Sequence, residues 1–188
     1  MKRPTSHYLV VEEVSVRRFV QGFVLGILAL PLGALVAAWL GYLPALAKAE
    51  PPRWEKAVAQ MTLNSYVARH APHLANPIPP TDENLLAGLK VFRDGCAGCH
   101  GDPNAGSDYG ASFYPRVPQF ASDPPRLPDW QLFWIVKNGV RYSGMSAWNR
   151  QWQNDTAKSD DQMWKVVTFL SRLDSLPPAV NAEWHKKQ

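Results

Sequence analysis

One pentapeptide in the chain concentrates residues that can do chemistry: Cys96-Ala97-Gly98-Cys99-His100. Two thiols one turn apart, followed by an imidazole, support three kinds of site. A structural zinc centre needs four ligands, usually from two such pairs, and Cys96 and Cys99 are the only cysteines of the 188-residue chain. The same count excludes a disulfide-dense scaffold. A thioredoxin-like redox pair needs a βαβ setting, whereas the flanks here are helical in pattern and rich in proline. Covalent c-type haem uses every residue: each thiol adds to a vinyl group, and the adjacent His turns inward to the iron. Haem is the one reading in which His100 has a role.

Such a motif must be held by packed elements. Leu85, Leu86, Leu89 and Phe92 recur at i, i+3/i+4 and i+7 just before it, which predicts an amphipathic helix. Thr81 or Asp82 can cap that helix, and Asp82 and Glu83 complement its dipole. Gly88 lowers helix stability, so a close helix contact is expected there. A middle helix is predicted from Asp129, a candidate N-cap, to Asn138-Gly139. Ser159-Asp160-Asp161-Gln162 reads as a capping box. The helix it opens carries Met163, Trp164, Val167, Leu170 and Leu173 at core spacing and stops before Pro177 and Pro178.

Helix, Cys-x-x-Cys-His, long loop, middle helix, loop Met and C-terminal helix together resemble the class I (mono-haem) cytochrome c family over residues 81–177. Gly144-Met145-Ser146-Ala147-Trp148 is similar to that family's sixth-ligand loop, with Ser146 where a Pro is common. The resemblance implies a compact all-α domain whose first and last helices cross, with Gly88 meeting Trp164. It implies one covalently bound haem c on Cys96 and Cys99, His100 as the proximal iron ligand and Met145 as the distal one. It implies one-electron transfer with no catalytic residues.

The other methionines suit the distal role less well. Met1 precedes an apolar run, Met61 precedes the domain, and Met163 sits at a core position of a helix, where Met is usually filler. Met145 lies in a Gly-flanked loop. No His between His100 and His185 competes, and His185 lies beyond two prolines, where solvent exposure is expected. Thioether ligation favours ferrous iron relative to bis-His ligation. A six-coordinate iron leaves no open position for a small-molecule substrate, so an electron carrier is expected. Trp130, Trp134, Trp148 and Trp152 are expected to fill a small core around a large apolar cofactor.

Residues 19–46 carry no charge. A helix of that length reaches about 42 Å against a hydrocarbon core of about 30 Å, so it can span with tilt. Arg17 and Arg18 stand directly before it, which places the N-terminus in the cytoplasm and the remainder in the periplasm or outside. Trp39 and Tyr42 fit an interfacial belt. Ala47-Lys48-Ala49 resembles a signal cleavage site, but the run far exceeds the roughly 7–15 residues of a signal h-region, so a retained anchor is expected. Gly22, Gly26, Gly33, Ala37 and Gly41 lie near one face, compatible with a packed partner helix. Pro31 falls mid-span, where a kink is expected.

Five segments follow: a cytoplasmic N-terminal segment (1–18), a transmembrane anchor (19–46), a Pro-rich connector (47–80), the haem domain (81–177) and a C-terminal tail (178–188). The connector holds a Pro- and Gly-free stretch from Trp54 to Arg69 that predicts a short helix, lying on the membrane surface or along a partner. Its His70 and His73 lack acidic or thiol companions for a metal and are expected to be solvated. Formal net charge is +4. Residues 81–177 hold ten basic and eleven acidic side chains, which excludes a nucleic-acid face and predicts weak electrostatic steering.

The sequence thus predicts an all-α protein: a cytochrome c-like haem domain behind one transmembrane helix and a connector. It would carry single electrons between redox partners on the outer face of the cytoplasmic membrane, within or beside a respiratory or photosynthetic complex, its partners a membrane redox complex, soluble donor or acceptor proteins, or both. A haem sensor or gas-binding protein is the alternative, and a peroxidase lacks a distal acid–base pair.

Overall fold

In the computed structural model the described residues are 7–148 and 156–187. They form helices and no strand, so the all-α expectation holds. Contacts divide the chain into two compact units, Met1–Leu46 and Ala47–Gln188.

The first unit is the helix α1, His7–Trp39, which continues through Pro31. Its apolar part, Val16–Trp39, is 24 residues long with mean hydropathy 2.2. At about 1.5 Å per residue that is enough to cross a bilayer. The boundaries differ from 1–18 and 19–46. The helix starts well before the apolar run, because charge does not end a helix. It stops at Trp39, after which Gly41 takes a positive φ of 77°, so residues 40–46 add apolar length but no helix.

In the second unit, α2 (Arg53–His70) precedes α3 (Asp82–Gly95), and the single turn α4 (Ala97–His100) follows at once. A long loop containing a 3-10 turn at Gly110–Ser112 leads to α5 (Asp129–Asn138). Then come α6 (Thr156–Leu170), a second 3-10 turn at Leu173–Ser175, and α7 (Pro178–Trp184). Thr81 is the cap of α3, its side-chain oxygen accepting from the Asn84 N–H at 3.3 Å.

The main contact is α3 against α6. Phe92, Leu85 and Leu89 of α3 are buried with Met163, Val166, Val167 and Phe169 of α6. Each such side chain contributes about 1.5–3 kcal/mol when fully buried. Gly88 sets the spacing: a Cβ there would lie 2.8 Å from the Phe169 Cβ and closer still to the Lys165 carbonyl. Its neighbours are thus Lys165 and Phe169, while the Trp164 ring stacks on Phe133 of α5 at 3.9 Å. The expected Gly88–Trp164 meeting is displaced along α6.

Four sequence expectations are corrected. α6 begins at Thr156, so Ser159 is a buried helical residue and not the N-cap of a capping box. Pro128, with no side-chain bond, precedes α5, and Asp129 is its first helical residue. The 178–188 segment is not a tail: α7 puts Val180 and Trp184 into the core. Trp184 meets Phe92 and Phe169 edge-on at 5.5 and 5.4 Å, and the Arg93 guanidinium donates to the Glu183 carbonyl at 2.8 Å. Proline at the first turn of a helix costs nothing, so Pro177-Pro178 ends one helix and starts another.

The fourth concerns 47–80, which belongs to the compact unit. Val67 and Ala71 are buried. The Asn76 amide donates to Asp129 at 2.8 Å and to the Thr168 hydroxyl at 2.9 Å, and its carbonyl accepts from the Ile78 N–H at 3.0 Å. His70 and His73 remain exposed but are stacked, His70 on Tyr66 at 4.1 Å and His73 on Trp130 at 3.9 Å. Trp134 tilts against Tyr66 at 5.8 Å. Trp130 and Trp134 therefore pack towards the connector. Trp148 rests on Gly95 at the end of α3, and Trp152 lies outside the described residues.

Candidate haem-attachment site

The pentapeptide caps the core helix. The Cys96 N–H donates to the Phe92 carbonyl at 2.7 Å, ending α3, and Cys96 then opens α4. The His100 N–H donates to the Cys96 carbonyl at 2.8 Å. One turn therefore carries both thiols and the imidazole. Both cysteines are free and half-buried. Burial, with the neighbouring Cys99 second, pushes the Cys96 thiol up to about 12, so it stays a neutral S–H.

The His100 ring is oriented from two sides. Nδ1 lies 3.0 Å from the Pro118 carbonyl, and a carbonyl only accepts, so Nδ1 carries the proton and Nε2 keeps its lone pair. The ring stacks on Phe120 at 4.1 Å, 13° from parallel. Burial lowers the His100 pKa, partly offset by the Pro118 bond. A neutral imidazole with a fixed tautomer and a free Nε2 is a prepared metal ligand.

Two residues that sequence reading missed hold this turn. The Ser107 hydroxyl lies 2.8 Å from the Cys99 carbonyl and accepts from the Gly110 N–H at 2.6 Å. The Gln119 amide donates to the carbonyls of Cys99 and Val117 at 3.1 and 3.0 Å. A Ser and a Gln in a loop carry no spacing signal that would reveal this. The loop is also tied to 47–80: the Tyr114 hydroxyl donates to Glu55 at 2.7 Å, and Arg116 pairs with Glu50.

Met145 lies in a separate tight loop. The Val140 N–H donates to the Met145 carbonyl at 3.0 Å, and the Met145 N–H donates to the Ser143 hydroxyl at 3.1 Å. Gly139 turns the chain at φ 69°, where a Cβ would lie 2.8 Å from the Ala147 nitrogen, so only Gly fits. Tyr142 is at φ 59°, a strained region for a non-glycine residue. Met145 and Cys96 are both half-buried against the same core cluster, whereas Met163 is wholly inside it.

Residues 83–170 match the family described as Cytochrome C oxidase, cbb3-type, subunit III, a mono-haem class I cytochrome c family. Residues 83–170, just under half of the chain, are thus similar to a cytochrome c domain. No curated protein matches the chain. The donors present fit the haem that this domain family carries: two free thiols on one turn, an oriented imidazole, and a thioether in an ordered loop. Among the described residues, no group of three or more His, Cys, Asp and Glu gathers to hold a bare metal ion.

Proposed function

We propose that the chain is a membrane-anchored mono-haem c-type cytochrome passing single electrons at the outer face of the cytoplasmic membrane. Cys96 and Cys99 hold one haem c, each S–H adding across a vinyl group without any oxidant. His100 is the proximal iron ligand and Met145 the distal one. The observation that carries the reading is the Pro118–His100 bond at 3.0 Å, which leaves Nε2 free beside two unpaired thiols.

When bound, the haem supplies a one-electron iron couple. The chain's own residues do the rest. Phe120 and Pro118 fix the imidazole, so little reorganisation accompanies a change of charge. Ser107 and Gln119 hold the attachment turn. The Gly139–Met145 loop offers a thioether, which favours the reduced state. Phe133, Trp164 and the α3–α6 core exclude water.

The apolar part of α1 that follows Arg18 and runs to Trp39 is the anchor, with Arg17 and Arg18 directly before it setting a cytoplasmic N-terminus and the haem domain on the periplasmic side. The matched family's description is that of an oxidase subunit, which favours a partner membrane redox complex over a freely diffusing role. Other electron donor or acceptor proteins would meet the exposed domain surface.

Purification from native membranes in mild detergent, with haem staining, tests this. A haem-bearing band that co-migrates with other redox subunits is expected. A haem-free chain, or a haem protein recovered wholly in the soluble fraction, would overturn it.

A further inference from the structure

Helix α2 has two unlike faces. Leu63 is half-buried and Val67 fully buried within the second unit. Positions 54, 58, 61 and 65 fall on the opposite face by helical geometry. There Trp54 is 69% exposed, Val58 51% and Met61 62%, so the apolar stripe is largely uncovered among the described residues.

We propose that this outer face of α2 lies in the interfacial layer of the bilayer, a second and peripheral membrane contact of the chain. The inference rests on the reading of α1 as a membrane span. Three observations choose lipid over a protein partner. The stripe follows the span in sequence: thirteen residues separate Trp39 from Arg53, a reach of at most about 50 Å. Its composition is that of an interfacial helix, an aromatic anchor at one end with aliphatic side chains one and two turns on. Its charge is compatible with anionic headgroups: exposed Arg69 falls beside the stripe, whereas Glu55 is the helix's sole acid and is engaged by Tyr114.

The consequence is a specific orientation. Through Glu55–Tyr114 and Glu50–Arg116, the segment at the bilayer grips the loop that ends at Pro118, the residue that holds His100. A membrane-bound α2 would fix how the haem domain presents itself to partners in the plane of the membrane.

The test uses the full-length holoprotein in liposomes of phosphatidylcholine and phosphatidylglycerol, with a nitroxide on Val58→Cys or Met61→Cys. Leu28→Cys serves as the span reference and Lys90→Cys as the water reference. Collision with oxygen and with a polar nickel complex is read by power saturation. Labels at 58 and 61 are expected to give an oxygen-to-nickel ratio several-fold above that at 90, approaching that at 28. A ratio at 58 and 61 equal to that at 90, with 28 in lipid, overturns the proposal and leaves the anchor intact. Labels shielded from both reagents overturn it in favour of a second protein surface. A label at 28 exposed to nickel overturns the anchor reading and the proposal with it.

Discussion

The Nδ1–H of His100 points at the carbonyl oxygen of Pro118, 3.0 Å away, and further contacts of the loop that joins the two residues hold the same turn. The Phe120 N–H donates to the His100 carbonyl at 3.0 Å, and Gln119, between them, holds the Cys99 carbonyl. The Tyr109 N–H donates to the Gly98 carbonyl at 3.1 Å, a further backbone bond from the loop to the attachment turn. This places the preparation of the imidazole in the polypeptide itself.

The distal role of Met145 makes a direct prediction. If Met145 fills the sixth position as proposed, ferrous Met145→Ala is expected to bind carbon monoxide rapidly and the parent slowly. The reduction potential falls, because a thioether stabilises the ferrous state. Met163→Leu, a volume-conserving core change, leaves both properties unaltered and costs under about 1.5 kcal/mol. Stopped-flow mixing and potentiometry check all three statements.

Gly88 is the tightest point of the α3–α6 crossing. Gly88→Ala puts a Cβ against the Lys165 carbonyl and 2.8 Å from the Phe169 Cβ, and Phe169 is fully buried and cannot yield. Overpacking of this kind costs about 1–3 kcal/mol. Denaturant unfolding of the haem-loaded protein is expected to show a lower midpoint with the haem still attached.

Trp184 belongs to the core, where it meets Phe92 and Phe169 edge-on. Trp184→Ala is expected to cost about 3–5 kcal/mol, as large a loss as truncating a residue of α6. A loss near zero in thermal or denaturant unfolding would mean that α7 is dispensable.

The Tyr114 phenol is bonded to Glu55, and that bond, followed by burial, raises its pKa above the usual value. Because the protonated phenol is the form held, the contact is complete below pH 10 and is lost as pH rises through the elevated value. An ultraviolet pH titration is expected to lose a component titrating above the ordinary phenol value in Tyr114→Phe. In Glu55→Ala that component moves down.

The cofactor site was legible in the sequence because its chemistry is local. Five consecutive residues state it, and the elements around them announce themselves by periodicity and caps, as at Leu85–Phe92 and Thr81. What escaped reading is non-local. α7 hid behind two prolines that look like a stop but also begin a helix. Asn76, Ser107 and Gln119 act through single hydrogen bonds to backbone or to distant elements, and isolated polar residues have no pattern. The 47–80 segment reads as a connector from its prolines. The buried Val67 and the Asn76 bonds to Asp129 and Thr168 are among the contacts that show it to be part of the packed unit.

The central claim is that one haem, covalently held and ligated on both faces, makes this chain an electron carrier. A potentiometric titration of the purified full-length protein, followed in the visible spectrum, tests it most directly. The account predicts one reversible one-electron transition between two six-coordinate low-spin states. Two transitions, or a ferrous state that is five-coordinate, would contradict it.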